Sequence, residues 1–565
     1  MKIIIFHLNI KKFFFSRFFI LYIFILLALI SLILRIIFLQ IINPEPLIYQ
    51  GDRQTLKIQK LLNIRGMIND RLGSPLAITV IVHSIVVNPN IVLKNINNIN
   101  NNLCWKALSN KISIPLKKII LHINNHKKSK FIYLTHHISP KIGIYIKTLK
   151  IPGITIFKEI KRYYPLGNIA SQLVGFTNID GQGIEGIEKI FNKSLTGIPG
   201  IRKIRQNKKG QIIENIPLIN QSQPHAITLS IDKKLQTLIY NKLKIAVKHY
   251  QAESGTAILT KIKTGEILAI VNNPSYNPND IISYPNHYIR NKAITDLFEA
   301  GSIIKPMVIM KALQENIITD NSIINTQPYY IKKHLIKDIS YHKRLNITEI
   351  IKKSSNIGVS KIALSIPMKK LSDIYNQFGL EEVTNIGLIG ERKKNFLHKR
   401  KWSNFEKAKF SFGYGFMITP LQLAQLYTTI GSYGIYHPLS ILKVNTLHIG
   451  TTIFSKKITK KVLNIMENVT KYSGNGEKSS INGYRIAAKT GTAKKIVFQK
   501  KHINQYVSYT AGIAPASNPQ FALIVIIDNP KKRKYYGEKV SAPIFSSIMQ
   551  KILKDMKIKK DSINK

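Results

Sequence analysis

The chain of 565 residues predicts a mixed α/β (α+β) protein in three parts: a membrane-anchor helix, an extended mixed pedestal domain, and a larger domain with a central antiparallel sheet covered by helices. Three observations carry this prediction. A single long apolar run stands near the amino terminus, and no later stretch approaches the ~18 apolar residues of a second span. Strand-like and helix-like segments then alternate over the next part of the chain. The second half sets a helix, a strand hairpin, further helices, two more strands and a closing helix in that order. Apolar residues at 44% supply material for packed cores.

The anchor comes first. Residues 18–34 are 17 uncharged, mainly apolar positions, which cover about 26 Å as a helix. Arg35 interrupts, and the apolar turn at 36–39 completes the crossing if its side chain snorkels to the interface. Lys2, Lys11, Lys12 and Arg17 precede the span, so the tail 1–17 is expected in the cytoplasm and the rest outside. No small-x-small cleavage site follows, so 18–42 reads as an uncleaved signal anchor.

Residues 46–225 form the pedestal. Its start, RGMINDRLGSPLA, reads as strand, polar turn and strand. Residues 92–130 are rich in Asn and Lys and read as variable loops with weak helical patterning. The segment GIEGIEK leads into a short helix ending near Gly197. Glu185 and Glu188 read as ion-pair partners, of Arg65 or Arg71, rather than as acid–base catalysts. His122 and His126 have i, i+4 spacing, but no carboxylate or cysteine nearby completes a metal site.

Residues 226–558 form the larger domain, followed by a tail at 559–565. Asp232 caps a helix whose Leu235, Leu238, Ile239 and Ala246 share one face. Residues 257–262 and 266–270 make a hairpin across a Lys-Thr-Gly turn, and 505–513 and 521–527 are further strands. Thr419, Pro420 and Gln422 combine a cap, a first-turn proline and a capping-box partner. The last helix spans 541–556.

Lys plus Arg number 84 against 29 Asp plus Glu, a formal +55 that invites a nucleic-acid reading. The lysines run along the whole chain, however, with no zinc-finger spacing, RNP-like aromatics or basic zipper. The charge reads as compositional drift in an Ile-, Asn- and Lys-rich sequence, and no nucleic-acid partner is expected. A lone Cys104 excludes an internal disulfide framework and any Cys-rich metal module.

Three short motifs carry the chemistry. Ser302-Ile303-Ile304-Lys305 opens a helix, so Ser302 and Lys305 lie one turn apart on one face. Ser354-Ser355-Asn356 follows in a loop, and Lys489-Thr490-Gly491-Thr492 in a strand. A serine becomes a nucleophile when a base takes its proton, and a lysine kept neutral by burial or by neighbouring cations serves. A helix start offers N–H groups to a developing oxyanion, and an edge strand can receive a peptide-like substrate. Each motif alone is common here: Ser-x-x-Lys recurs at Ser230, Ser340, Ser440 and Ser562, and Lys-Thr-Gly at Lys263. The order and settings of the three carry the case.

With these motifs the chain resembles the class B penicillin-binding proteins, especially the division-specific peptidoglycan D,D-transpeptidases of Gram-negative bacteria. The likeness extends to RYYPLGNIASQLVGFTN, ESGTAILTKIKTGEILAIVNNPSYNPN and SFGYGFMITPLQLA, and runs from the anchor to about residue 556. It implies that Ser302 is the acylated nucleophile and Lys305 its base. Ser354 and Asn356 would relay protons and hold the substrate amide, and Lys489 would tune the electrostatics. Thr490, Gly491 and Thr492 would receive the substrate, the two threonines binding the carboxylate of a D-Ala-D-Ala stem. The N–H groups of Ser302 and Thr492 would form the oxyanion hole.

The resemblance also implies no cofactor and no metal. It places a single-pass protein in the inner membrane with its catalytic domain in the periplasm. The implied partners are peptidoglycan stem peptides, β-lactams as covalent inhibitors, a septal polytopic glycosyltransferase and other divisome proteins. Ile303 and Ala300 depart from the residues common in the family and would alter cleft shape without removing a catalytic group. The rival readings are an elongation-specific relative, a D,D-carboxypeptidase, and a non-catalytic scaffold or β-lactam sensor.

Overall fold

The computed structural model describes residues 17–60, 64–95, 99–198, 200–207, 212–219, 222–392, 402–446, 449–495, 505–532 and 535–562. The tails 1–17 and 559–565 and the Lys-rich stretches at 390–402 and 531–534 fall partly outside these residues. The chain divides into two compact units, Met1–Asn63 with Gly197–Gln223, and Ile64–Thr196 with Pro224–Lys565.

In the first unit, the helix Arg17–Ile37 runs on through a π-helical turn at Phe38–Ile42. Phe18–Ile42 is long and apolar enough to cross a membrane once, and its apolar side chains point outward. The Arg35 guanidinium lies over the Phe38 ring, 5.5 Å from its centre, at the carboxyl-terminal end of this stretch. After a helix at Glu45–Thr55, the strand Leu56–Lys60 pairs antiparallel with Ile201–Gln206, which pairs in turn with Ile212–Ile219.

The pedestal part of the second unit is built on the long strand Pro75–Val87, flanked antiparallel by Ile132–Ile138 and Ile154–Tyr163. The expected turn before it forms around Asp70, whose Oδ1 accepts from the N–H groups of Leu72 (2.9 Å) and Ser74 (2.7 Å). Residues 92–130 are more ordered than variable loops. Leu103–Ile112 and Leu116–Asn125 are helices, because Trp105, Leu108, Ile119 and Ile123 recur at helical spacing and are fully buried. Asn102 caps the first of them.

Glu188 pairs with Arg65 as expected, while Arg71 pairs with Glu266 instead. The second partner of Glu188 is Arg162. His122 and His126 contact backbone carbonyls at 3.2 and 2.9 Å, and no metal-holding group of His, Cys, Asp or Glu occurs among the described residues.

The larger domain opens with helix α1 (Lys233–His249), capped by Asp232, then strands β1 (Ser254–Lys261) and β2 (Ile267–Asn273). Helices α2 (Lys305–Gln314), α3 (Asn356–Ser365) and α4 (Pro420–Gly431) follow. Strands β3 (Ala487–Lys494), β4 (Tyr506–Ala514) and β5 (Phe521–Asp528) and helix α5 (Ser541–Asp555) close the domain. The five strands form one antiparallel sheet in the order β2-β1-β5-β4-β3, which leaves β3 at an edge.

Both faces of the sheet are covered. Ala257 and Leu259 pack with α1 and α5 in one core, while Ile258 between them packs with α2 and α4 in the other. Alternation along the strand therefore feeds two cores, and the strands read as almost continuously apolar. Helix α4 starts with the capping box foreseen at Thr419 and Gln422.

Candidate active site

The nucleophile candidate lies in a 3₁₀ turn, Gly301–Ile304, that continues directly into α2. Three elements pin this turn. Gly301 N–H donates to the Gly413 carbonyl (2.9 Å), Tyr427 Oη from α4 to the Ile303 carbonyl (2.9 Å), and Tyr509 Oη from β4 to the Glu299 carbonyl (3.2 Å). Backbone meets backbone at Gly413: a Cβ there would lie 2.1 Å from the Gly301 oxygen, so the glycine of the SFGYG segment is a packing requirement. Ser302 is partly exposed, and its Oγ has no hydrogen-bond partner among the described residues.

Lys305 is fully buried at the first position of α2. Its Nζ reaches the Ser354 carbonyl (2.7 Å), Asn356 Oδ1 (2.7 Å) and Ser354 Oγ (3.2 Å). All three acceptors of Nζ are neutral oxygens, so no carboxylate bonded to it stabilises the ammonium form. Burial, and after it the nearby Lys489 charge, push the Lys305 amine well below the ordinary lysine range, with Asp338 opposing. Lys489 is also fully buried, and desolvation lowers it to about 7. Its Nζ donates to the Thr490 carbonyl at 3.0 Å.

Ser354 takes a left-handed backbone, φ 56°, which turns its carbonyl onto Lys305. Such a conformation costs about 1–3 kcal/mol outside glycine and persists where its surroundings fix it. Asn356 is the first residue of α3 rather than a loop residue, and Ser355 is the helix cap. On β3, Lys489 and Gly491 share one face and Thr490 and Thr492 the other. A Cβ on Gly491 would lie 2.0 Å from the Tyr509 ring. Thr490 Oγ1 donates to the Asn475 carbonyl (2.8 Å), and Thr492 Oγ1 accepts from Gly537 N–H (2.9 Å).

Two residues of this site are absent from the sequence reading. Asp338 accepts from the Ser355 hydroxyl and from the N–H groups of Asn356 (2.6 Å) and Ile357 (3.0 Å). A carboxylate at the amino end of α3 fixes the helix that presents Asn356. Asn475 ties two motifs together, donating its side-chain amide to the Lys353 carbonyl (2.7 Å) and accepting from Thr490. No local pattern marks either residue, since each acts across a long sequence gap.

The arrangement is a serine one turn before a buried lysine, with a second buried lysine and an edge strand. The chain matches the penicillin-binding protein transpeptidase domain over 255–550 and the penicillin-binding protein dimerisation domain over 61–229. The chain belongs to the class B penicillin-binding proteins. Among its relatives, the peptidoglycan D,D-transpeptidase FtsI of Buchnera aphidicola (subsp. Schizaphis graminum) is 58% identical, over 93% of this chain and 92% of that one. FtsI of Escherichia coli K12 is 48% identical, over 93% and 89%. A peptidoglycan synthetase from Bifidobacterium adolescentis shares the fold at a TM-score of 0.70 and 21% identity, covering 90% of this chain and 98% of that one. In this class B penicillin-binding protein all three motifs of the sequence reading fall within the transpeptidase match.

Proposed function

We propose that the chain is a septal peptidoglycan D,D-transpeptidase, with Ser302 as nucleophile. The observation that carries the reading is Lys305: fully buried, low in proton affinity, and bonded to Ser354 and Asn356 one turn from Ser302. Lys305 takes the Ser302 hydroxyl proton as Oγ attacks the carbonyl between the two D-alanines of a stem peptide. The N–H groups of Ser302 and Thr492 receive the oxyanion. Ser354, 3.2 Å from Lys305 Nζ, passes the proton to the departing D-alanine nitrogen. An amine of a neighbouring stem then attacks the acyl-enzyme; Lys305 takes its proton and hands it to Ser302 Oγ as the acyl bond breaks, which frees the serine and restores the neutral lysine. Thr490 and Thr492 hold the donor carboxylate, and Lys489 keeps Lys305 poor in protons.

The boundaries 46–225 and 226–558 divide pedestal from transpeptidase in this proposal. The basic tail before Phe18–Ile42 supports a body that lies in the periplasm, where in this reading a septal polytopic glycosyltransferase supplies the strands. The identity to two proteins named FtsI supports division over elongation.

The test has three arms. A fluorescent penicillin should label the solubilised protein at Ser302 by peptide mapping, and Ser302→Ala should not label. Lipid-linked strands plus an amine acceptor should yield cross-links and free D-alanine; label without turnover would point to a sensor. Depletion should give filaments, whereas round cells would assign elongation.

A further inference from the structure

Apart from the serine turn, a cavity of about 200 Å³ lies at one end of the central sheet, where β1 and β4 begin and β3 and β5 finish. Phe298, Met417, Ala493, Val507 and Ile526 are among the residues that give it apolar wall, and charged residues of both signs share the lining. Asp528 Oδ2 accepts from Lys495 Nζ at 2.9 Å, and Lys495 also reaches Glu253 at 3.3 Å. Asp528 Oδ1 is buried and has no donor among the described residues. Lys292 lies within electrostatic reach of Asp296, Asp528 and Glu253. Those carboxylates pair elsewhere, Asp296 with Arg290 and the other two with Lys495, so the Lys292 ammonium has no ion pair among the described residues.

A buried carboxylate oxygen without a donor and a half-buried ammonium without an acceptor are both costly. Burial accordingly pushes the Asp528 carboxyl up and the Lys292 amine down. A single ligand bearing both complementary charges relieves both costs. The volume is below the ~300 Å³ at which drug-sized pockets begin and well above the ~30 Å³ share of one water. The occupant is therefore small.

We propose that this cavity binds a short-chain α-amino acid as a zwitterion, its ammonium on Asp528 Oδ1 and its carboxylate on Lys292. The apolar part of the lining, with the small volume, suits a short apolar side chain. D-alanine, the leaving group of the reaction proposed above, is one such molecule, and its candidacy as the source rests on that reading. Glycine and L-alanine share the chemistry. A bound ligand would sit against Phe298, whose ring packs 5.5 Å from Tyr509, the residue that supports Gly301.

The test uses the full chain in detergent and calorimetric titration with D-alanine, L-alanine and glycine. Propylamine and propionate, each with one of the two charges, are the controls. At least one amino acid should bind, and both controls should bind at least ~10-fold more weakly, the scale of one charge-assisted hydrogen bond. Asp528→Asn and Lys292→Gln should each weaken binding by a similar factor, with fluorescent-penicillin labelling certifying that each is folded. Should Asp528→Asn fail to label, Lys292→Gln decides. Ser302→Ala should bind like the parent. No heat from any amino acid at tens of millimolar, in protein that still labels, would overturn the site; so would binding unchanged in the labelled variants. Amino-acid binding by protein that never acylates would instead leave the site standing and remove the transpeptidase reading.

Discussion

Buried charge is handled in opposite ways at two places in the larger unit. In the pedestal, Glu188 is fully buried between Arg65 Nε (2.6 Å) and Arg162 Nε (2.7 Å). Arg65 also donates to the carbonyls of Gly181 and Glu188 and to Asn192 and Thr196. At the serine, Lys305 and Lys489 are equally buried, yet their bonds go to neutral oxygens. Where opposite charges meet, the ion pairs hold segments together. Where they do not, burial lowers the amine's hold on its proton, which is what a lysine proposed as a base requires. Burial alone marks neither; the partners decide between structure and chemistry.

The largest expected effect breaks the paired side. Glu188→Gln leaves two buried guanidiniums without a counter-charge, which should cost ~3–5 kcal/mol of stability. A thermal melt should show the loss, while the folded fraction labels with penicillin at the parental rate. A melting temperature like the parent's would show that the cluster is not a structural tie.

Next comes the unpaired side. Lys305→Arg keeps positive charge but cannot supply a neutral base, so β-lactam acylation should fall by at least ~10²-fold. A folded variant that labels at the parental rate would sink the base assignment while sparing Ser302. In the parent, acylation should be lost as pH falls through the depressed Lys305 value and level off above it. Lys489 adds a stability test. The unfolded side chain holds its proton to about 10.5 and the folded one releases it near 7. Between these values the unfolded chain binds more protons, so stability should rise with pH across that window. Lys489→Met should flatten that rise.

The contrast also explains what the sequence could disclose. The anchor, the hairpin and the Thr419 capping box follow from local periodicity and capping, and each forms near its expected limits, while the Lys489–Thr492 motif lies on an edge strand. The candidates Ser302, Lys305, Ser354, Asn356 and Lys489 stood out because three short motifs fall in a fixed order, and the structure brings Lys305 onto Ser354 and Asn356. Arg162, Asp338 and Asn475 were not, because each meets its partners across long stretches of chain and nothing in its own neighbourhood marks it. The helices at 103–125 were underread because Asn and Lys on their outer faces diluted the four apolar positions that fold them.

A smaller effect is expected where the two regimes meet. Asp338 is the carboxylate whose charge opposes the depression of Lys305, and it bonds the segment presenting Asn356. Asp338→Asn removes that charge and weakens its bonds to the start of α3, so acylation should fall ~10-fold, the worth of one charge-assisted bond. The acid limb of the pH–rate profile should move to lower pH, since Lys305 loses a neighbour that favoured its protonated form. Asp338→Glu should recover part of the rate. A slower variant with an unmoved limb would make Asp338 a packing residue only.

The smallest effect belongs to a charge pair that is neither buried nor catalytic. On α5, Lys551 Nζ lies 2.8 Å from Asp555 Oδ1, with the side chains 49% and 43% exposed. The spacing is i, i+4, but lysine precedes the acid, the weaker orientation, and Asp555 sits at the helix end where the dipole disfavours an anion. Water screens what attraction remains. Lys551→Gln should therefore cost no more than ~0.5 kcal/mol, and added salt should shrink even that difference. The measurement is the melt used for Glu188→Gln, run at low and high ionic strength. If the exposed pair proved as costly to break as the buried cluster, distance rather than burial would set the value of an ion pair here, and the contrast between pedestal and serine site would lose its physical basis.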